Sequence, residues 1–308
     1  MKLTAKLEER LGISLMYIVV LSIIILIFVM FILLFKMSWP AITKFGFHFI
    51  TSKEWNPVKE QFGAWPFLYG TIITSILSLM IALPFGVSSA IFITEIGPKK
   101  LRIFLGTSID LIASIPSIIF GMWGLFYLVP FIRETLTPLL KNSIGFLPFF
   151  QGPSFGISLL AASLILSIMI IPIISSLCRE LFLSVPVTYK EAALALGATP
   201  FEKIKLAVLA PSITGIVGAA GLALARALGE TMAVVMVIGN SPHVSLSLLS
   251  PGATMASILA NEYAEAGADL HLASLCYMAT LLFIVTMLVN SISRFIIKYF
   301  KPKAFRGL

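Results

Sequence analysis

Six apolar stretches, each 23 to 26 residues long, constrain this chain more than any other feature of its sequence. They cover residues 13–35, 69–94, 104–129, 155–178, 213–238 and 270–292. As a helix, each is long enough to cross roughly 30 Å of hydrocarbon at about 1.5 Å per residue. Only 12% of the residues are charged, against roughly 25% in soluble domains. The sequence therefore predicts an all-α integral membrane protein with six transmembrane helices.

The basic residues lie between the apolar stretches and predict the orientation of the chain. Fifteen Lys and Arg residues flank the spans on the side of the N-terminus and six on the other side, while Arg226 falls inside a span. Because loops rich in Lys and Arg stay in the cytoplasm, both termini are predicted to be cytoplasmic. The net charge of +8 does not indicate nucleic-acid binding, since the basic residues are not clustered with stacking aromatics on a polar face.

The segments between the spans divide the chain into predicted parts. These are a cytoplasmic N-terminus at 1–12, a first transmembrane helix at 13–35, an extracytoplasmic segment at 36–67 that lies at the interface or forms a small cap, a transmembrane domain at 69–298 with a cytoplasmic loop at 183–210, and a basic cytoplasmic tail at 299–308. Residues 130–153 and 241–269 are predicted to be loops, with His243 and His271 facing water. Asp110 is expected to be solvated or paired with a basic residue.

The longest predicted cytoplasmic connection carries readable helix-capping signals. Thr188 and Glu191 have the spacing of a capping box, and so do Thr199 and Glu202. Gly197 stands where the end of a helix needs a left-handed backbone. These signals predict two helices joined by a tight turn, the first too short to be stable alone in water. Such a hairpin inserts into a groove on a partner or caps its own bundle, and the spacing alone leaves both interpretations open.

The stretch EAALALGATPFEKIKLAVLAP resembles the EAA loop of the membrane subunits of ABC importers. The residues that match are Glu191, Ala192, Ala193, Gly197, Phe201, Ile204 and Leu209. The sequence departs from the family where Ala210 replaces the usual proline and Pro211 follows. The resemblance implies that Glu191, Ala192, Ala193 and Gly197 form a coupling element that docks on a separate ATPase subunit. ATP and Mg²⁺ are expected on that partner, since this chain contains no G-x-x-x-x-G-K-[ST] loop.

The fifth span contains Arg226 and, four residues later, Glu230, which a helix places on one face. A central Arg costs roughly 2.5–3.5 kcal/mol on insertion scales and needs a partner or a hydrated cavity. One interpretation is an internal ion pair that fixes the helix. The other is an anion path, because the guanidinium fork matches tetrahedral oxyanions and Glu230 prevents an anion from binding too tightly to leave. Hydroxyl groups of Thr231, Ser114 and Ser117 are further candidates for this substrate path.

The stretch ARALGETMAVVMVIGN resembles the corresponding segment of phosphate ABC-transporter permeases of the PstC type, and the resemblance covers roughly residues 69–240. IPSIIFGMWGLFYLVP and YGTIITSILSLMIALPFGVSSAIFITE resemble that family's third and second spans. The resemblance implies a type I ABC importer permease fold, with one N-terminal helix and a core of five, in the cell (inner or plasma) membrane. It also implies a second permease subunit, two ATPase subunits and an extracytoplasmic phosphate-binding protein, with Arg226 and Glu230 as the transport-critical pair.

Other functions stay open at this point. Import of molybdate or sulfate is the nearest alternative to phosphate, and a stand-alone secondary transporter is more distant, since it predicts inverted repeats that the sequence does not contain. Catalysis and metal binding are not expected, because His48, His243 and His271 are scattered without an H-E-x-x-H motif. Cys178 and Cys276 are predicted to be buried thiols. The expected non-protein partners are phosphate and membrane lipid.

Overall fold

A computed structural model describes residues 2–152 and 155–299, and helices dominate these residues. The helices are α1 (Lys2–Phe45), α2 (His48–Thr51), α3 (Trp65–Ile96), α4 (Lys99–Ala113), α5 (Ser117–Ser143), α6 (Leu159–Leu183), α7 (Val187–Ala195), α8 (Pro200–Gly229), α9 (Met232–Ile238), α10 (Met255–Glu262) and α11 (Asp269–Tyr299). Most of the predicted basic tail, 300–308, lies outside the described residues.

Six helices of the described chain are long and apolar enough to cross a membrane, namely α1, α3, α5, α6, α8 and α11. The prediction of an all-α membrane protein with six spans is therefore confirmed. Four of the predicted spans lie almost entirely within α1, α3, α6 and α11, and these helices extend beyond one or both predicted ends. The apolar side chains of α1 are mostly exposed in the isolated chain, as expected for a helix that faces lipid.

The third span is displaced from its predicted position. The predicted stretch 104–129 contains a break at 114–116, after which α5 crosses as Ser117–Ser143. Pro116 has no N–H to donate and disfavours a helical backbone at the residue before it, so α4 ends at Ala113. The prediction of a loop at 130–153 is consequently wrong in its first half, which is helical.

The fifth span is also not one helix, as 213–238 was predicted to be. Its helix, α8, begins inside the hairpin at Pro200 and ends at Gly229, and the crossing is continued by the short α9. The π-helical turn Ile204–Leu209 lies where α8 leaves the hairpin. This span is therefore a discontinuous helix with its break just after Arg226.

The helix α6 forms the centre of the bundle. Its side chains Ile165, Ile170 and Ile174 are fully buried. Gly86 brings α3 so close to Ile174 that a β-carbon there would overlap that side chain. Such small residues allow transmembrane helices to pack tightly, and α3 and α6 therefore form one rigid pair.

One end of the bundle is closed by residues that follow α1, and it is called the cap end. Phe49 stacks on Tyr277 with ring centroids 4.4 Å apart, and the Trp55 Nε1 donates to Glu262 Oε2 at 2.9 Å. The same carboxylate is hydrogen-bonded to Nε2 of His271 at 2.9 Å. His271 is buried, so the prediction that it faces water is wrong, while His243 is exposed. The predicted loop 241–269 also contains the helix α10.

The opposite end of the bundle carries α7 and the start of α8, and it is called the hairpin end. The helix α1 finishes at the cap end and α11 begins there, so their other ends point toward the hairpin end. This geometry agrees with both termini lying on one side. Which compartment that side faces stays a prediction.

Candidate functional site

The charged pair of the fifth span lies at the helix break. Nη2 of Arg226 is 3.4 Å from Oε2 of Glu230, and the side chains are 52% and 7% exposed in the isolated chain. Charge-assisted hydrogen bonds between such groups are typically about 2.7–2.9 Å long. The carboxylate is therefore buried, whereas the guanidinium is half-exposed and held only by a long contact.

The backbone unwinds between these two side chains. Arg226 is in the last turn of α8, while Glu230 has an extended backbone with φ −71° and ψ 129°. The Thr231 hydroxyl donates to the carbonyl of Gly229 at 3.2 Å, which supplies a partner for a carbonyl outside the regular helix. The expectation of one continuous helical face for the pair is corrected here. Unwound backbone within a membrane is tolerated where it is buried in protein or lines a hydrated cavity.

The helix α5 is the neighbour of α9 beyond the break. A β-carbon on Gly121 would overlap Met236 and contact Ala233, and one on Gly124 would contact Val237. The two helices therefore run side by side in the same direction, and Ser117, one turn before Gly121, is expected at the level of the break. Of the predicted hydroxyl donors, Ser117 and Thr231 thus belong to this region of the structure.

Ser114 has a shorter local bond than Thr231, because its hydroxyl donates to the Leu111 carbonyl at 2.7 Å, against 3.2 Å from Thr231 to Gly229. A hydroxyl has one proton to donate, so while this bond is formed the Ser114 hydroxyl cannot donate to an anion. Asp110 pairs with Arg179 at 3.3 Å, which ties α4 to α6, as expected of a carboxylate near a basic residue. Cys178 and Cys276 are buried free thiols, which confirms their prediction.

The hairpin has the turn chemistry that its sequence indicates. Gly197 has φ +84°, its N–H donates to Leu194, and the next N–H, of Ala198, donates to Ala193. These two bonds form a Schellman motif, which closes a helix end. Thr199 and Glu202 form the predicted capping box.

The first predicted capping box is absent from the hairpin. The helix α7 begins at Val187 after Pro186, and Thr188 lies inside its first turn rather than at its cap. No side-chain cap is formed there. Pro186 occupies the N-cap position with φ −56° and ψ 136°, so α7 begins directly after it and earlier than Thr188 predicts.

The outward surface of the hairpin combines small residues with large exposed apolar side chains. Glu191 and Ala192 are exposed, as is Gly197, while Ala193 is half-buried. Large apolar side chains around them are also exposed, namely Val187, Leu194, Leu196 and Phe201. Apolar side chains concentrated on a polar hairpin are typical of a protein–protein contact rather than of a surface that meets only water.

The inward side of the hairpin contains a cluster that the sequence reasoning missed. Oε1 of Glu95, in the last turn of α3, accepts from Nζ of Lys190 at 2.6 Å, and Oε2 is 3.0 Å from Nζ of Lys203. The Glu95 side chain is only 4% exposed. A sequence signal exists, since Glu95 is the first acidic residue after a long apolar span, but nothing in the spacing of Lys190 and Lys203 connects them with it.

These features together define a class of protein. The molecule is a multi-spanning membrane permease, with an exposed, capped hairpin between its fourth and fifth spans and a charged pair at a broken helix. Residues 82–306 match the family described as binding-protein-dependent transport system inner membrane component. The chain belongs to this family. Relatives named phosphate transport system permease protein PstC are 45% and 48% identical to it over 86% and 81% of its length, so within the family it belongs to the permease proteins of the PstC type.

The relatives on which this assignment rests cover most of the chain. The phosphate transport system permease protein PstC of Mesorhizobium japonicum is 45% identical over 86% of this chain and 82% of its own length. The PstC protein of Xylella fastidiosa is 48% identical over 81% of this chain and 78% of its own length. The probable phosphate transport system permease protein PstC of Methanocaldococcus jannaschii is 35% identical over 91% and 92%. The family is one of transport proteins, so the chain is a permease rather than an enzyme, and it resides in the cell membrane.

Solved structures support the fold alone. The chain resembles a bacterial ABC transporter involved in the import of the acidic polysaccharide alginate, with a TM-score of 0.54 and 18% identity over 80% of this chain and 82% of that one. It also resembles the inward-facing MetNI methionine ABC transporter, with a TM-score of 0.52 and 22% identity over 77% of this chain and 94% of that chain. The predicted type I importer permease fold is thereby confirmed.

Proposed function

We propose that this chain forms, with a second permease subunit, the path by which an ATP-driven importer moves inorganic phosphate across the membrane. Arg226 meets the anion, Glu230 holds the guanidinium between substrates, and Thr231 and Ser117 lie where their hydroxyls reach the same path. Ser114 is the weakest member of the set, since its hydroxyl makes the shorter backbone bond, at 2.7 Å against 3.2 Å for Thr231.

The observation that carries this proposal is the unequal burial of the charged pair. A structural ion pair requires both groups to be held closely, but Arg226 is half-exposed and 3.4 Å from its partner. A guanidinium with unused donors is suited to bind phosphate through two oxygens at once. The names of the relatives support phosphate over molybdate or sulfate as the anion.

The test is Arg226→Gln in the complete complex, reconstituted with its ATPase and binding protein. We expect phosphate uptake to fall at least about a hundredfold, corresponding to roughly 2.7 kcal/mol, while the complex still assembles. Arg133→Gln is the matched control, because Arg133 pairs with its neighbour Glu134 and is exposed. Normal uptake by Arg226→Gln contradicts the role. Equal-concentration assays with phosphate, molybdate and sulfate decide which anion the complex transports.

The partners follow from the hairpin surface and from the family. We expect the exposed face of α7 to dock on one of two ATPase subunits, while the second permease subunit docks on the other. ATP and Mg²⁺ are expected to be bound by the ATPase subunits, and phosphate to be delivered by an external binding protein. Gly197→Asp is expected to prevent the ATPase from co-purifying, because any side chain at φ +84° is strained and this one adds charge to the contact. Gly152→Asp is the control, since Gly152 also has positive φ and open space around it. Unchanged co-purification of Gly197→Asp contradicts this docking site.

The same proposal places the hairpin end in the cytoplasm. The excess of Lys and Arg on that side supports this orientation, and so does the expected position of the ATPase. A reporter that functions only outside the cell, fused after Leu308, is expected to be inactive. Activity of that fusion contradicts the orientation.

A further inference from the structure

The carboxylate of Glu95 joins three helices at the hairpin end. It lies in the π-helical turn Phe92–Ile96 that finishes α3, and its two oxygens meet Lys190 of α7 and Lys203 of α8. The lysine side chains are themselves 18% and 17% exposed. One acid therefore ties both helices of the hairpin to the second span.

The helix α7 depends on this attachment for its position. The structure describes all nine residues of α7, and none of them is buried. An isolated helix of this length is marginal in water, so its placement must come from contacts with the rest of the protein. Lys190 is directed inward to Glu95 at 2.6 Å, while the neighbouring Glu191 and Ala192 stay exposed. The helix thus presents one side for a partner and attaches by the other.

The far side of the attachment is rigid. Glu95 extends from α3, and α3 is packed on α6 with Gly86 against Ile174. The hydroxyl of Ser89, less than two turns before Glu95, also donates to Ser175 of α6 at 2.8 Å. A displacement of α7 that keeps the ion pairs intact must therefore move the α3–α6 pair with it.

We infer that Glu95 is the positioning residue through which movement of the ATPase-bound hairpin reaches the membrane helices. This inference rests on the proposed function, because it needs an ATPase on the outer face of α7. Two ammonium groups converge on one carboxylate that is almost completely removed from water. Removing the acid leaves two like charges facing each other, which releases the hairpin from α3 without altering its outer face.

The experiment compares Glu95→Gln with wild type in the full complex in proteoliposomes. Three quantities are measured: the ratio of ATPase to permease, the stimulation of ATP hydrolysis by loaded binding protein, and uptake per ATP hydrolysed. We expect the ATPase to co-purify at the wild-type ratio, while stimulation and uptake per ATP both fall about tenfold, because a buried ion pair is broken. Glu180→Gln is the matched control, since Glu180 is an exposed carboxylate at the same end, next to Arg179, and it should leave all three unchanged.

A charge swap separates positioning from a merely structural role. Glu95→Lys combined with Lys190→Glu and Lys203→Glu reverses every charge of the cluster and again pairs the residue at 95 with two opposite charges. We expect it to recover at least about half of the lost stimulation. Wild-type stimulation in Glu95→Gln overturns the inference, and so does loss of the ATPase from that variant. If the wild-type complex responds to its binding protein but transports an anion other than phosphate, the proposed substrate fails while the role of Glu95 stands.

Discussion

Two buried carboxylates of this protein have opposite environments. Glu95, at the hairpin end, has two lysine partners at 2.6 and 3.0 Å, and those lysines are themselves largely covered. Glu230, at the helix break, has one arginine partner at 3.4 Å, and that side chain is half-exposed. Both acids are almost inaccessible, so burial alone does not distinguish them. The difference lies in how firmly each holds its cation.

The comparison shows what each site is suited to do. A carboxylate with short bonds to two covered cations keeps its helices in fixed positions, as a mechanical attachment requires. A carboxylate with a single long contact leaves the cation free to exchange partners. On the proposed function, an anion that binds Arg226 competes with Glu230 for the same guanidinium, and a long contact favours the anion in this competition. We therefore expect substitutions at the two sites to change different measurements.

The largest expected effect is at the loosely held pair. Glu230→Gln removes the charge that competes with the anion, so the anion is bound more tightly and leaves more slowly. We expect the maximal rate of phosphate uptake by the complex to fall about tenfold, with an apparent affinity that is higher rather than lower. The measurement is the initial rate of phosphate uptake across a range of concentrations of the loaded binding protein. Glu134→Gln is the control, because Glu134 belongs to an exposed pair. An unchanged maximal rate of uptake in Glu230→Gln would contradict the proposed difference between Glu95 and Glu230.

An intermediate effect is expected when the two lysines of the tight cluster are replaced separately. Lys190 makes the shorter bond and anchors α7, which has no buried residue, whereas Lys203 belongs to the long helix α8. Lys190→Met should reduce the stimulation of ATP hydrolysis about fivefold and Lys203→Met about twofold, because each variant leaves a different share of the carboxylate unpaired. Equal losses would show that α8 contributes as much to the attachment as α7.

The smallest expected effect concerns the caps at the two ends of the bundle. Thr199→Ala removes the capping box that begins α8, and Thr254→Ala removes the one that begins α10 at the cap end. Each is expected to destabilise its own helix start by about 1 kcal/mol. Hydrogen exchange should increase in the hairpin for the first variant and near α10 for the second. Uptake should fall less than about twofold in either, and a larger loss for Thr199→Ala would indicate that the turn itself transmits force.

Much of the fold and part of the site were predictable because they depend on local chemistry. Long apolar stretches report the number of spans, since every backbone group in lipid must be paired within a helix. Gly197 and Thr199 specify the turn of the hairpin, because their requirements concern neighbouring residues only. The pairing of Arg226 with Glu230 was likewise readable from a spacing of four.

The errors also have a physical cause. Hydropathy alone placed the third span at 104–129, because a window average cannot detect that Pro116 interrupts an apolar stretch. The His271 contact with Glu262 was missed because the two residues meet only when the cap folds over the start of α11.

The sequence by itself determined that this protein crosses the membrane six times, carries a capped hairpin and places an arginine and a glutamate in one span. Only the tertiary structure decided that the helix breaks between that pair, and that Glu95 meets Lys190, 95 positions away along the chain. Periodicity and capping describe interactions over a few residues. Contacts between distant segments depend on how whole helices pack, and packing is set by the shape of every neighbour at once.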